Sequence, residues 1–340
     1  MRCAWSWSAC CRDPSGCGER RLPRTEKTAG GSVTFPRCYA SIGVFDGCHR
    51  GHQLIFQQVL SRAADGGGRP VVVTFDPYPG EVLAPERPAA RLQSAGLKRR
   101  FLLEMGFRGI LELVFSRAMA RMEPRDFVEQ VLLAHLDLVE LHIGYDFRFG
   151  RDRGGGIEEL ESLGRSRGFQ VTRVPALLEE GLPISSSRLR RALRDGDVEA
   201  AWRWLGRPHC LEGEVVRGRG EGSRILFPTA NLKCDPRILL PRCGVYVVEA
   251  EVGDEVCGGV MNIGRRPTVT GGDGVHVEVH LFDWDRDVAG RTLQVFLLGW
   301  LRPEEHFASV DALRAAIAED IARGRAHLSR LAQGGPAVRG

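Results

Sequence analysis

The pattern of apolar residues changes character once along this chain, near residue 206. From Tyr39 to about Leu205, apolar runs of strand length alternate with segments whose apolar residues recur at helical spacing. This alternation predicts a parallel β-sheet with helices on both faces. From about Glu212 to Gly299, short runs rich in Val and Leu are separated by Gly and Pro, which predicts an all-β barrel or sandwich. A chain of 340 residues is long enough for these two domains.

The same change of pattern sets the domain limits. We expect the boundary at Gly206-Arg207-Pro208, with an α/β domain at residues 37–206 and an all-β domain at residues 207–332, followed by a tail at 333–340. Residues 1–36 are rich in Cys, Arg, Gly and Ser and show no periodicity. They predict a disordered extension or a start codon assigned too far upstream, because they lack the apolar core of a secretory signal.

A helix is the last predicted element. Pro303 is expected to start it, because proline is favoured in the first helical turn. The helix runs to about Leu331, and Ala312, Ile317 and Ile321 lie on its apolar face.

Composition limits the classes of function. The formal net charge is only +4 and is dispersed, which disfavours a nucleic-acid-binding protein. No apolar run is long enough to span a bilayer, so we expect no membrane partner. Four of the ten cysteines crowd the N-terminus without a histidine among them, which argues against a zinc site. The other cysteines are scattered as reduced thiols usually are, which favours a cytoplasmic location.

Residues 43–52, with the sequence GVFDGCHRGH, connect a predicted strand to a predicted helix. A helix N-terminus with nearby glycines binds anions through its backbone N–H groups and its dipole. His49 and His52 can add hydrogen bonds or positive charge. A Gly-rich turn with two solvated histidines is the alternative interpretation. The HxGH pattern resembles the signature of the nucleotidyltransferase superfamily.

Three further motifs each follow a predicted strand: residues 74–79 (TFDPYP), 143–150 (IGYDFRFG) and 184–190 (ISSSRLR). Ligands of parallel sheets bind beyond the carboxyl ends of the strands, so we expect one shared site. Asp146 lies between aromatic residues that suit a flat ring, and a helix or turn cap is the alternative interpretation. Three serines at a helix start are good caps and good phosphate donors, and Arg190 reaches the same anion.

The predicted all-β domain holds two more polar patterns. Thr229 and Asn231 are hard oxygen donors two residues apart, and an extended segment points both toward one Mg²⁺. A plain turn and strand is the alternative. Alternation places His276, Glu278 and His280 on one strand face, which is either a three-ligand metal site or a solvent-facing surface.

These motifs together resemble the bacterial bifunctional riboflavin kinase/FAD synthetase family. GxFDGxHxGH, TFDPxP, GxDFxFG and ISSTxxR follow the order of its FAD synthetase module, and ExHLFDxxxDxxG with LRPEExF resembles its riboflavin kinase module. The resemblance extends from Tyr39 to the last helix. It implies a Rossmann-like nucleotidyltransferase domain and a riboflavin kinase β-barrel with a terminal helix.

The resemblance also implies the chemistry. The enzyme phosphorylates riboflavin to FMN and adenylylates FMN to FAD with release of pyrophosphate. Its partners are riboflavin, FMN and ATP, its cofactor is Mg²⁺, and we expect a monomer or weak homo-oligomer. The rivals are an enzyme with one working module and a flavin- or nucleotide-binding regulator without catalysis, from which the essential side chains would be missing.

The resemblance assigns roles to individual residues. The catalytic residues that it implies are Glu278, His49, His52 and Arg190. Glu278 is the base that takes the proton from the ribityl 5′-hydroxyl. The implied ATP- and phosphate-binding residues are Gly43, Phe45, Asp46, Gly47, Gly51, Asp146, Ser185, Ser186, Ser187, Gly218, Gly222, Pro228, Thr229 and Asn231. The implied flavin-binding residues are Phe75, Asp76, Pro77, Phe147, Arg302 and Phe307. Thr229 and Asn231 are also the implied Mg²⁺ ligands.

This sequence departs from the family pattern at four positions. Tyr78 stands where His is expected, and Ser187 stands where Thr is expected, with its hydroxyl retained. In the kinase module Ser223 replaces Arg and Leu226 replaces Gly, while Arg224 offers a charge one position on. The relative activity of the two modules is therefore left open.

Overall fold

The computed structural model describes residues 24–28, 35–217, 228–267 and 273–333. They form two units. The sheet unit comprises the described residues up to Ala90 and those from Ala95 to Ser185. The barrel unit comprises Arg91–Ser94 and the described residues from Ser186 onward. Among all the described residues, no helix has the length and apolar character needed to cross a bilayer. The domain boundary near Gly206 stays a prediction.

Six parallel strands form the centre of the sheet unit. They are β1 (Arg24–Thr28), β2 (Phe35–Ile42), β3 (Arg69–Phe75), β4 (Gly109–Leu113), β5 (Leu136–Gly144) and β6 (Gln170–Val174). Their order in the sheet is β1-β4-β3-β2-β5-β6, and all neighbours pair in parallel. The chain reverses its direction across the sheet between β2 and β5, which is where such sheets bind ligands.

Helices cover both faces of this sheet, as the alternating pattern predicts. The helical elements are α1 (Arg50–Asp65), α2 (Pro79–Leu83), α3 (Ala95–Glu104), α4 (Arg117–Ala120), α5 (Pro124–Asp126), a π-helical turn (Phe127–Leu132), α6 (Leu133–His135), a 3₁₀ turn (Arg151–Arg153) and α7 (Ile157–Arg167). A short hairpin of β7 (Leu178–Glu179) and β8 (Leu182–Pro183) follows. Along β3, Val71 and Val73 join one core cluster with Phe127, whereas Val72 joins another with Phe56. A strand buried on both faces reads as a continuous apolar run for this reason.

Strand β1 lies within residues 1–36, which the sequence analysis predicts to be a disordered or misassigned extension, and that prediction stays untested. Arg24–Thr28 pairs in parallel with Gly109–Leu113 of β4 at the edge of the sheet. The segment RTEKT lacks the apolar pattern by which a buried strand is recognised, and an edge strand has a neighbour on one side only. Residues 1–23 and 29–34 lie outside the described part of the chain.

The barrel unit contains a closed antiparallel barrel of six strands, which decides between the predicted barrel and sandwich. The strands are β9 (His209–Val216), β10 (Ala230–Cys234), β11 (Gly244–Val252), β12 (Glu255–Pro267), β13 (Asp273–Leu281) and β14 (Thr292–Pro303). Their order around the barrel is β10-β13-β12-β11-β14-β9.

Two helices, α8 (Ser186–Asp195) and α9 (Val198–Leu205), precede the barrel and pack against it. The Arg242 backbone N–H donates to the Leu193 carbonyl at 2.9 Å, and the Trp300 N–H donates to Glu199 Oε1 at 3.4 Å. Gly206 ends α9 in the left-handed conformation, with φ of 72°. These contacts tie both helices to the barrel.

The terminal helix, α10 (Val310–Ala332), begins later than predicted. Pro303 is the last residue of β14 and pairs with Gly244, so it ends a strand and does not start the helix. Ser309 caps α10 by accepting a hydrogen bond from the Ala312 N–H at 3.2 Å. Ala312 is exposed, so its place on the apolar face is wrong. Ile321 packs against the barrel as expected.

Candidate active sites

The turn between β2 and α1 has an unusual backbone. Phe45, Gly47 and Cys48 have φ values of 50°, 83° and 42°, all in the left-handed region. Each non-glycine residue in that region costs on the order of 1–3 kcal/mol and persists only when its surroundings hold it. Phe45 is held by its ring, which is buried edge-on against Phe56 with centroids 4.8 Å apart.

His49 and His52 lie together at the start of α1. His49 is the N-cap, and its Nδ1 accepts a hydrogen bond from the His52 backbone N–H at 3.3 Å. Because an accepting nitrogen carries no proton, the neutral His49 ring holds its proton on Nε2. The two rings stack with centroids 3.6 Å apart. The first turn of α1 has no acidic residue, so the helix N-terminus suits an anion.

Gly51 allows a second motif to approach this turn. A side chain at Gly51 would meet the His49 ring at 3.2 Å and the Ile184 carbonyl at 3.4 Å. Ile184 directly precedes Ser185, so the start of the serine motif lies beside α1. Ser186, Ser187 and Arg190 belong to α8 of the barrel unit, where Ser187 is exposed and the other two are half-buried.

A buried polar network lies behind the turn. The Lys98 ammonium donates to the Val44 carbonyl at 3.2 Å and to Thr74 Oγ1 at 3.0 Å, and lies 4.6 Å from the centre of the Tyr78 ring. The Tyr78 hydroxyl donates to Asp46 Oδ1 at 3.4 Å. Tyr78, the departure from the family pattern, therefore contacts the predicted phosphate turn. The sequence analysis missed Lys98, although its helical spacing from buried Leu102 places it on the inner face of α3.

The other predicted residues of this unit follow β3 and β5, the two neighbours of β2. Asp76 and Pro77 are half-buried just after β3, whereas Phe75 is buried in the core with its ring edge-on to Phe115. Asp146 is exposed just after β5, and half-buried Phe147 stacks on Phe149. These residues and the His49 turn thus share the carboxyl edge of the sheet.

In the barrel unit one row of paired residues crosses five strands. Asn231 pairs with Glu278, Glu278 with Asn262, Asn262 with Val245, and Val245 with Arg302. Residues directly opposite in antiparallel strands have their side chains on the same face. The row therefore gathers two amides, a carboxylate and a guanidinium on the outer face of the barrel.

Residues on either side of Glu278 confirm which face is outward. Val277 and Val279 are buried, while His276, Glu278 and His280 are half-buried, as the alternation predicts. The described residues contain no cluster of three or more His, Cys, Asp and Glu side chains able to hold a metal ion. The alternative of a three-ligand metal site in this row is therefore not supported.

Glu278 opens into a cavity of about 600 Å³ between the barrel and α10. Its polar lining includes Thr229, Asn262, Glu278, His280, Arg302 and Asp320, and Phe307 contributes an aromatic ring. His280 donates from Nδ1 to the Pro228 carbonyl at 2.8 Å, which ties β13 to the start of β10.

Asp320 on α10 holds Arg302 in this cavity. Arg302 donates from Nε to Asp320 Oδ1 at 2.9 Å and from Nη2 to Oδ2 at 2.7 Å, a two-point contact. This pairing raises the pKa of the Arg302 guanidinium, so it stays charged. The Arg302 guanidinium carbon Cζ lies 5.5 Å from the centroid of the Phe307 ring. Asp320 is only 3% exposed. The sequence analysis missed it, although a carboxylate among the apolar positions of α10 indicates a buried partner of opposite charge.

The donor set near Glu278 fits a hard divalent cation. Thr229 and Asn231 flank buried Ala230, so both point to the outer face of β10. A hydroxyl, an amide oxygen and a neighbouring carboxylate are ligands that suit Mg²⁺. The other predicted residues of this loop, Gly218 and Gly222, and the departures Ser223, Arg224 and Leu226 lie outside the described residues.

Comparison with known proteins gives matches along most of the chain. The FAD synthetase family model matches residues 33–188, and the riboflavin kinase family model matches residues 205–328. A Pseudomonas fluorescens protein named bifunctional riboflavin kinase/FMN adenylyltransferase is 39% identical over 292 residues, which cover 85% of this chain and 92% of the relative. The Escherichia coli K12 protein of the same name is 39% identical over 284 residues, which cover 83% and 90%.

A solved structure shares the fold. It is described as a macrolide-efflux protein from Streptococcus pneumoniae, and it superposes with a TM-score of 0.78 at 30% identity. The superposition covers 87% of this chain and 97% of that one.

Proposed function

Starting from the fact that the chain belongs to the bifunctional riboflavin kinase/FMN adenylyltransferase family, we propose which residues carry its two reactions. The protein makes FMN from riboflavin and FAD from FMN, with ATP as co-substrate of both reactions. The turn at the start of α1 serves adenylyl transfer. The row of residues around Glu278 serves phosphorylation.

In adenylyl transfer, the phosphate of FMN attacks the α-phosphorus of ATP. A new P–O bond forms there, the bond to the bridging oxygen of the β-phosphate breaks, and pyrophosphate leaves. No side-chain nucleophile is needed, so the protein contributes positioning and charge stabilisation. His49 and His52 donate to the phosphates beside the α1 N-terminus. By the family resemblance Asp146 binds the nucleotide, and Ser185, Ser186 and Arg190 hold the phosphates that become pyrophosphate.

In phosphorylation, Glu278 accepts the proton of the ribityl 5′-hydroxyl as that oxygen attacks the γ-phosphate of ATP. The bond from the γ-phosphorus to the bridging oxygen of the β-phosphate breaks, and ADP leaves. A carboxylate suffices as base because phosphoryl transfer demands little proton abstraction before the transition state. Arg302 and Phe307 contact the flavin in the cavity. Thr229 and Asn231 would hold Mg²⁺, which would neutralise charge on the ATP phosphates.

The observation that carries this proposal is the pairing of Glu278 with Asn231 and Asn262, since Glu278 and Asn262 also line the cavity. The experiment is a time course with purified protein, ATP and Mg²⁺, in which riboflavin or FMN is the sole flavin and the products are separated. We expect riboflavin to give FMN and then FAD, and FMN to give FAD directly. FAD formation from FMN without FMN formation from riboflavin would favour the enzyme with one working module.

We also propose that the protein acts in the cytoplasm as a monomer or weak homo-oligomer, without a nucleic-acid or membrane partner. The formal net charge of only +4 supports the absence of nucleic acid.

A further inference from the structure

Lys98 is a buried cation whose presence the family chemistry leaves unexplained. Its side chain is only 2% exposed, and it lies on the inner face of α3 between Leu97 and Leu102, both of which are buried. Burying an ammonium group is costly unless hydrogen bonds compensate. An apolar side chain would pack equally well at this position of α3. The presence of a charged ammonium there therefore requires an explanation other than packing.

The hydrogen-bond partners of Lys98 suggest what the ammonium does. Its Nζ donates to the carbonyl of Val44, which also accepts a hydrogen bond from Thr74 Oγ1 at 3.2 Å. Val44 is followed by Phe45, the first of the residues with positive φ in the turn. Two donors on one carbonyl fix the orientation of the peptide group between Val44 and Phe45. The strained turn is thus held from the interior at the point where it begins.

Lys98 also reaches the loop that follows β3. Its ammonium lies over the ring of Tyr78, and Tyr78 donates to Asp46, two residues beyond Val44. The cation therefore contacts the turn directly through Val44 and indirectly through Tyr78 and Asp46. A cation over an aromatic face is attracted more strongly when both are desolvated, as they are here.

We propose that Lys98 is a positioning residue for adenylyl transfer, which sets the conformation of the turn that carries His49 and His52. It acts through the Val44 carbonyl and the Tyr78 ring, both of which its buried ammonium contacts. The inference rests on the proposed role of this turn in adenylyl transfer.

The test is Lys98→Met, which keeps an unbranched chain nearly as long as the apolar part of lysine and removes the ammonium. We expect kcat for FAD formation from FMN to fall at least tenfold, because misaligned donors weaken transition-state stabilisation. The KM for ATP should change less than threefold, since the backbone N–H groups and the serine motif remain. FMN formation from riboflavin, measured on the same protein, should stay within twofold and reports that the barrel unit is intact, while the preserved KM for ATP in adenylyl transfer reports that the sheet unit is folded.

Arg100→Gln is the matched control on the same helix. Arg100 pairs with Glu104 at 2.9 Å on the partly exposed side of α3, so both reactions should stay within twofold. An adenylyl-transfer kcat of Lys98→Met within twofold of the wild type would overturn the inference. An equal loss in Lys98→Met and Arg100→Gln would overturn it as well.

Thr74→Val decides the outcome if Lys98→Met loses both reactions through misfolding. It removes one donor to Val44 and one partner of the ammonium at nearly constant volume. A fall of at least threefold in adenylyl-transfer kcat with normal phosphorylation supports the inference, and an unchanged kcat contradicts it. His52→Ala in the same assay distinguishes failure of the proposed adenylyl-transfer site from failure of the inference about Lys98. If His52→Ala is fully active, the proposed site is wrong. If His52→Ala is impaired while Lys98→Met and Thr74→Val are fully active, the proposed site is supported and the positioning role of Lys98 is rejected.

Discussion

The two candidate sites are positioned by different parts of the polypeptide. In the sheet unit the critical groups lie on a turn, and its geometry depends on left-handed residues such as Phe45 and on the buried Lys98 behind them. In the barrel unit Glu278 projects from a regular strand, and its neighbours Asn231 and Asn262 are set by register alone. We therefore expect adenylyl transfer to be sensitive to the surroundings of the turn, and phosphorylation to be sensitive to individual side chains.

The strongest test of this comparison is Glu278→Gln. The amide has nearly the same shape but accepts no proton, so FMN formation from riboflavin should fall by about 10²–10⁴-fold. FAD formation from FMN should stay within twofold. The measurement is the initial rate of each reaction with one flavin supplied at a time. An equal loss in both rates would contradict the assignment of Glu278 to phosphorylation only.

The corresponding change in the sheet unit is His52→Ala. Removing one donor to the transition state should lower the rate of adenylyl transfer by roughly a hundredfold. Affinity for ATP should change much less, because backbone contacts at α1 remain. Riboflavin phosphorylation is the internal control, and His135→Ala, a histidine outside the motif, is the matched variant. Weak ATP binding with a normal maximal rate would make His52 a binding residue only.

A smaller effect is expected at the wall of the barrel cavity. Asp320→Asn removes the charge that holds Arg302 by two hydrogen bonds. The KM for riboflavin should rise by about tenfold, the equivalent of one charge-assisted hydrogen bond, with a smaller change in kcat. The control is Arg325→Gln, because Arg325 lies on the same helix as Asp320. This change breaks only an exposed ion pair with Asp283 and should leave the KM for riboflavin unchanged. A kcat effect that exceeds the KM effect would indicate that Arg302 acts in the chemical step.

The smallest expected effect concerns stability and not catalysis. Burial, with the nearby positive charge of Arg207, lowers the pKa of His209 to about 3, compared with about 6.5 in an unfolded chain. The unfolded state therefore binds more protons between these values, so stability is full above pH 6.5 and declines as pH falls. The loss should be about 1.0 kcal/mol between pH 6.5 and pH 5.5. Denaturant unfolding of wild type and His209→Gln at both pH values checks this, and an equal pH dependence would contradict it.

The sequence predicted the architecture because local periodicity determines it. The alternation of apolar runs identified a two-sided parallel sheet, and the motifs around His49 and Glu278 are contiguous stretches whose spacing carries information. The residues that were missed reach the sites through tertiary contacts. Lys98 and Asp320 lie on helices distant in sequence from the groups they hold, and Asn262 joins Glu278 only through strand register.

The errors in element limits have a similar origin. Pro303 has the identity of a helix-starting residue, but its pairing with Gly244 places it in the barrel. Strand β1 is polar, and its pairing with β4 is what makes it a strand. In each case a long-range backbone contact outweighs the local preference, which no single stretch of sequence reveals.

The row of paired residues in the barrel also constrains how this protein can change during evolution. Because side chains alternate along a strand, one inserted or deleted residue within β13 would turn Glu278 inward and bring Val277 or Val279 to the cavity. The strand that carries Glu278 should therefore keep its length among descendants of this sequence and vary by substitution alone. Length changes should accumulate in the connections between strands, where no register has to be preserved.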